Sequence, residues 1–214
     1  MHTDVNAVVG GYLRDMAFAQ SLQQKMFGYK RAAAAILALD VPLTDLIGPD
    51  GTLPRIAGIG PGSTRIIREI LDTGESPTVE RAIDGSGRRT DIDRRRQLRR
   101  HFLSRAEARR VLLDDSLAGP ALEQYRGDLQ MHSEWSDGDP ARQDLDHTLA
   151  SRALEAGCVF ALDSDAHATT QLSYAEIALA HARLAGISAE RIVNCWPLDR
   201  LLAWLSNPAS ECRP

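Results

Sequence analysis

The segment that most restricts the fold is a glycine-rich stretch in the first third of the chain. Gly58, Gly60, Pro61 and Gly62 fall within five residues, directly before an amphipathic sequence. Glycine permits tight turns and close approach of a ligand to the backbone, and proline is favoured at the first position of a helix. We therefore expect a turn followed by a helix over residues 63–71. The amides that begin such a helix attract anions, so this segment predicts a phosphate-binding turn.

Helical segments are predicted on both sides of this turn. Apolar residues recur at spacings of three and four over residues 5–26, the pattern of an amphipathic helix. Gly28 interrupts that pattern, residues 30–39 are rich in the strong helix former alanine, and Pro42 begins a short helix to residue 47. After the turn, Gly74 is placed to end the next helix in the left-handed conformation. Residues 1–79 are therefore expected to form an all-α domain.

This array resembles a helix-hairpin-helix DNA-binding motif. Over residues 5–78 it is similar to the small N-terminal domain of X-family DNA polymerases, on the strength of the hairpin and of the helix at Tyr29-Lys30-Arg31-Ala32-Ala33. The resemblance implies binding to the sugar-phosphate backbone of DNA with little reading of sequence. It assigns that role to Gly58, Ile59, Gly60, Gly62, Ser63 and Arg65.

The lyase chemistry of some such domains does not carry over to this chain. Those domains use a lysine on the second hairpin helix to form a Schiff base, and Ile66 holds that position here. The arginines of this helix cannot replace the lysine, because arginine supplies no neutral amine. The resemblance therefore implies DNA binding without lyase activity.

Charge divides the chain into three segments. The net charge is −1 over residues 1–79, +4 over 80–127 and −7 over 128–214. Ten arginines fall between Arg88 and Arg110, against Asp91, Asp93 and Glu107. Two interpretations stay open: the arginines extend the contact with DNA phosphates, or they form a solvated helical face that pairs with the acidic third segment.

The third segment changes to a pattern typical of strands. Residues 128–132 alternate like a short strand, and residues 159–162 form a continuous apolar run of the kind found in buried parallel strands. Residues 144–156 are expected to form a helix that stops at Gly157, and further helices close the chain.

Two motifs in this segment resemble the PHP (polymerase and histidinol phosphatase) superfamily. Residues 127–138 are similar to its first motif, and Ser164-Asp165-Ala166-His167 to its last. The family fold is a distorted β/α barrel that binds two or three metal ions, which activate water against a phosphoester. The resemblance implies catalytic roles for His132, Asp165 and His167, and metal ligation by His132, Asp137, Asp165 and His167.

Two departures weaken the implied site. Gln130 stands where the family has a histidine, and an amide oxygen is a poorer ligand for these metals than imidazole. The segment from Asp128 to Leu205 is only 78 residues long, whereas a closed β/α barrel needs about 200. We infer an internal deletion. The expected fold class is α/β: an all-α helix-hairpin-helix domain over 1–79, a basic linker or helical region over 80–127, and a truncated, incomplete PHP-type barrel over 128–214.

The function expected from these segments is a DNA-binding, metal-dependent phosphoesterase of PHP type, impaired by the deletion and holding Zn²⁺ or Mn²⁺ weakly. Two alternatives stay open: a non-catalytic binder of the DNA backbone with a PHP remnant, and a small-molecule phosphatase of the histidinol phosphatase kind. The exposed barrel edge predicts a homo-oligomer. No apolar run approaches the roughly 20 residues of a membrane helix, and three widely spaced cysteines favour a reducing compartment, so a cytoplasmic protein without a membrane partner is expected.

Overall fold

The computed structural model describes residues 3–49, 51–127, 145–164 and 173–206, and 64% of these residues are helical. The chain divides into two compact units, Met1–Glu107 and Ala108–Pro214. The division into three segments by charge stays a prediction.

In the part of the first unit that the structure describes, five helices pack around one apolar core. They are α1 (Val5–Ala19), α2 (Gln23–Leu37), α3 (Pro61–Thr73), α4 (Pro77–Ser86) and α5 (Arg89–Leu98), with a short 3₁₀ helix at Leu43–Leu46 between α2 and α3. Every one of these helices contributes a buried aliphatic side chain, for example Leu13, Ile36, Ile67, Ile83 and Ile92. The residues of α4 and α5 therefore pack into the same core as the helices before them.

Gly28, which was expected to interrupt a helical pattern, lies inside α2. Gly85 lies inside α4, which is followed by the left-handed cap residue Gly87 with φ of 68°. An interior glycine costs a helix about 1 kcal/mol relative to alanine. Burial of Ala32, Ala33 and Ile36 in the core offsets that cost for α2. The predicted left-handed end of α3 at Gly74 is confirmed, with φ of 81°.

The carboxylate of Glu69 ties α3 to the start of α4. It accepts hydrogen bonds from the Ser76 hydroxyl at 2.6 Å and from the Thr78 hydroxyl and amide at 2.5 and 3.1 Å. Partial burial by itself raises the pKa of Glu69. These hydrogen bonds, together with one from Arg65, outweigh that effect and lower the pKa to about 2. The charged carboxylate is therefore part of the packing of two helices.

Glu69→Gln is expected to lower the free energy of unfolding by about 1–2 kcal/mol at pH 7, because charged acceptors make the stronger hydrogen bonds. The folded pKa lies below the ordinary value of 4.5, so this stabilisation is present above that value and is lost as the pH falls through about 2. Urea denaturation followed by circular dichroism at several pH values measures the difference. Glu75→Gln, at an exposed position nearby, is the matched control. An equal loss in both variants would contradict the assignment.

In its described residues, the second unit contains three further helices and short 3₁₀ turns. The helix α6 (Arg105–Leu112) contains the division between the units, and α7 (His147–Glu155), α8 (Ala175–Leu184) and α9 (Leu198–Ser206) follow it. The core of the second unit is formed by Ala150, Phe160, Leu162, Leu179, Ala182, Ile187 and Ile192. The helices α7 and α8 therefore pack around an extended apolar segment near residue 160.

The predicted α/β fold with a partial PHP-type barrel is wrong. In the described part of the chain, the β pairing consists of one isolated parallel bridge, between Phe160 and Ile192. The backbone of Leu162 pairs instead with the side chain of Asn194, which accepts from its amide and donates to its carbonyl, both at 2.8 Å. A short apolar run is also compatible with burial outside a sheet, and one side-chain amide here takes the place of a neighbouring strand. The other predicted strand, residues 128–132, lies outside the described residues.

Candidate nucleic-acid interface

The hairpin between the 3₁₀ helix and α3 is held by local hydrogen bonds. The Ile59 amide donates to the Ile56 carbonyl at 3.2 Å, with Gly58 as the third residue of the turn at φ of 84°. Gly60 precedes α3 in an extended conformation, and its carbonyl accepts from the Thr64 amide at 2.9 Å. Pro61 is the first residue of α3 and has no backbone N–H, so the first N–H donors of the helix are those of residues 62 and 63. An α-helix leaves these first donors without an intrahelical acceptor.

The three glycines of the hairpin have different roles. Gly58 has a positive φ that other residues adopt only with strain. A side chain at Gly62 would approach the Tyr29 hydroxyl to 3.0 Å. A side chain at Gly60 would meet no atom within 4 Å, and its backbone conformation suits any residue. Gly60 therefore keeps open the space in front of the hairpin, without being needed for the turn itself.

A groove of about 590 Å³ runs along the hairpin on the side of α2, and we call it the hairpin groove. Its charged lining residues are Lys25, Arg31 and Arg55, and Tyr29 lies beside them. No carboxylate contributes to this lining among the residues that the structure describes. Lys25 and Tyr29 are four residues apart and so share one face of α2. The hairpin groove thus combines three cations with the amide end of α3.

The opposite side of the hairpin is electrically mixed. A second groove there is lined by Arg65 and Arg68 together with Glu69 and Asp72. The Arg65 Nε lies 3.2 Å from the Glu69 carboxylate, so part of its charge is neutralised. Ile66, at the position where a lyase lysine would stand, is fully buried in the core. The positive potential around the hairpin is therefore greatest in the hairpin groove.

The arginine run of α5 pairs in part with acidic residues of its own unit. Arg96 Nε donates to the buried Asp15 carboxylate at 2.7 Å, and its Nη2 to Glu80 at 2.5 Å; Arg99 also donates to Asp15. Arg89 donates to Glu80 at 2.7 Å. Burial raises the pKa of Glu80, but the hydrogen bonds from Arg96 and Arg89 lower it more. These three arginines therefore contribute to the packing of α5 against α1 and α4.

The residues predicted for catalysis and metal binding, His132, Asp137, Asp165 and His167, lie outside the described residues. Within the described ranges, no three His, Cys, Asp or Glu side chains form a group able to hold a metal ion. His147 and His181, which belong to no predicted motif, stack with ring centroids 5.6 Å apart. The metal site and the hydrolytic activity stay predictions.

Of the predicted DNA-binding residues, the hairpin glycines and Ser63 line the hairpin groove, as does Ile59. Arg65 lines the other side. Sequence reasoning missed Lys25, Arg31 and Arg55, although the spacing of Lys25 and Tyr29 along one helical face was a usable signal.

No protein-family model, curated protein or solved structure matches this chain. Across the described helices, none combines the length and apolar character needed to cross a membrane.

Proposed function

We propose that Met1–Glu107 binds the phosphate backbone of duplex DNA at the hairpin groove, with little dependence on sequence. The observation that carries the proposal is the meeting of three cations, with no carboxylate among the described lining residues, and the amide end of α3. Helix N-termini bind anions through their first amides. Lysine and arginine add attraction that is independent of base sequence.

The hairpin suits phosphate more than base edges. Its turn exposes Gly58, Gly60 and Gly62, whose lack of side chains lets a phosphate come close to the backbone. Tyr29 is the aromatic residue that lines the groove, and its hydroxyl points toward Gly62. Because backbone contacts carry no sequence information directly, we expect similar affinities for duplexes of different sequence.

The full chain is expected to bind a fluorescent duplex with an affinity that falls steeply between about 50 and 200 mM NaCl. Each lost phosphate contact reduces the slope of log K against log salt by about 0.9. Arg31→Gln with Arg55→Gln should therefore reduce the slope by about two, as measured by fluorescence anisotropy.

The matched comparison is Arg65→Gln with Arg68→Gln, on the mixed side of the hairpin. This pair removes the same charge, but Glu69 and Asp72 already lower the potential there, so a smaller change in slope is expected. Binding without salt dependence, or equal slopes in both double variants, would contradict the assignment to the hairpin groove.

A further inference from the structure

A second basic groove lies along the other flank of α2. Its volume is about 640 Å³, and we call it the arginine groove. Met26, Lys30 and Ala34 contribute to it from α2, whereas Lys25 and Tyr29 belong to the hairpin groove. At 3.6 residues per turn, these two sets point about 120° apart around the helix axis. The helix α2 is thus a ridge with a basic groove on each side.

Five of the nine described residues that line the arginine groove are cations, and none is acidic. The cations are Arg14, Lys30, Arg88, Arg95 and Arg99. Arg99 shares its charge with Asp15 beneath it. Even with Arg14 and Arg99 set aside, Lys30, Arg88 and Arg95 give the groove an excess of positive charge that is complementary to a polyanion.

Contacts with Phe18 fix two of these cations without neutralising them. The guanidinium of Arg95 lies 4.2 Å from the centroid of the Phe18 ring, and that of Arg88 lies 5.4 Å from the same ring. Arg88 Nη1 also donates to the Phe18 carbonyl at 2.7 Å. An aromatic ring and a carbonyl carry no formal charge, so both guanidinium groups keep theirs while their positions are restrained. Such preorganised cations lose less conformational entropy when a ligand binds.

The separation of the two grooves suits a single nucleic acid. An α-helix with its side chains is about 10–12 Å wide. Measured along the axis of a duplex, that width corresponds to about three nucleotide steps of one strand, at a rise of about 3.4 Å for each step. A backbone held at the hairpin therefore reaches the arginine groove within a few phosphates.

We propose that the arginine groove is a second phosphate-binding site for the nucleic acid that the hairpin groove holds, so that the backbone passes over α2. This inference rests on the proposed function. Guanidinium groups pair well with phosphate and with carboxylate. The position of the groove, across one helix from the hairpin, favours a phosphodiester backbone over an acidic protein segment.

The test uses Lys30→Gln with Arg95→Gln in the full chain, titrated with duplex DNA at several salt concentrations. Loss of two phosphate contacts should reduce the salt slope by about two and weaken binding about tenfold near 100 mM salt. Lys30→Arg with Arg95→Lys keeps both charges and should keep the wild-type slope. Arg81→Gln with Arg152→Gln removes the same net charge outside both grooves and should change the slope little.

The outcomes separate this inference from the proposed function. If Arg31→Gln with Arg55→Gln lowers the slope while Lys30→Gln with Arg95→Gln leaves it unchanged, the hairpin site stands and the arginine groove is overturned. If Lys30→Gln with Arg95→Gln keeps the wild-type salt slope for DNA but loses binding to polyglutamate, the arginine groove accepts acidic polypeptide and the inference is wrong. If Lys30→Gln with Arg95→Gln fails to fold, Lys30→Gln alone is tested, because Lys30 is exposed. This single variant should reduce the salt slope for DNA binding by about one.

Discussion

Gly60→Val is expected to weaken duplex DNA binding by the full chain at least about tenfold, while its melting temperature stays close to that of the wild type. The valine side chain would enter the open space in front of the hairpin, where a phosphate must come to reach the amides at positions 62 and 63. The backbone at Gly60 has φ of −101° and ψ of 176°, so valine is accommodated without strain. Fluorescence anisotropy measures the affinity, and thermal circular dichroism measures the fold.

Two variants show whether the loss at Gly60 is specific. Gly85→Val adds the same bulk into open space on α4 and should leave binding unchanged. Gly58→Val should reduce both binding and stability, because valine is strained at a φ of 84°. Wild-type affinity in a folded Gly60→Val protein would show that the phosphate does not approach the hairpin from this side.

Asp15→Ala is expected to lower the free energy of unfolding of Met1–Glu107 by about 3 kcal/mol. Asp15 is 3% exposed, and its carboxylate accepts from Arg96 and Arg99. Without it, Arg99 loses this carboxylate partner and Arg96 keeps Glu80, so two partly buried guanidinium groups face the core side of α1 with less compensating negative charge. Because the pair is largely screened from solvent, added salt should recover little of the loss.

The measurement can follow the two units separately. The three tryptophans of the chain, at positions 135, 196 and 204, all lie in the second unit, so their fluorescence reports that unit while far-ultraviolet circular dichroism reports both. Asp15→Ala should move the urea transition seen by circular dichroism. Asp84→Ala is the matched control, since Asp84 pairs with Arg89 at the surface and surface pairs contribute little. Equal shifts for the two variants would contradict a special role for the buried carboxylate.

The hairpin and its flanking helix were readable from the sequence because their determinants are local. Gly58 in the turn, Pro61 at the first helical position and Gly74 at the left-handed end each act within a few residues of themselves. The same locality applies to Ser104, whose hydroxyl caps α6 by accepting from the Glu107 amide at 3.3 Å. For these features, neighbouring residues carry the whole signal.

The second unit shows where a local pattern is insufficient. The apolar run at residues 159–162 is buried at Phe160 and Leu162, as a strand would be. Whether such a run joins a sheet depends on a partner strand elsewhere in the chain. Here residues 191–194 provide one bridge and the side chain of Asn194, so the apolar run alone could not distinguish a strand from an isolated extended segment.

The arginine run separates what the sequence specifies from what the tertiary structure decides. The sequence specifies a basic α5, because its composition alone gives the positive charge. Only the tertiary structure decides that Arg96 is paired with the carboxylate of Asp15, 81 positions earlier, whereas Arg95 lies over the uncharged ring of Phe18. Adjacent residues on a helix point about 100° apart, so one faces the core and its carboxylates while the other faces a groove. The availability of each charge is set by partners distant in sequence, which no local pattern contains.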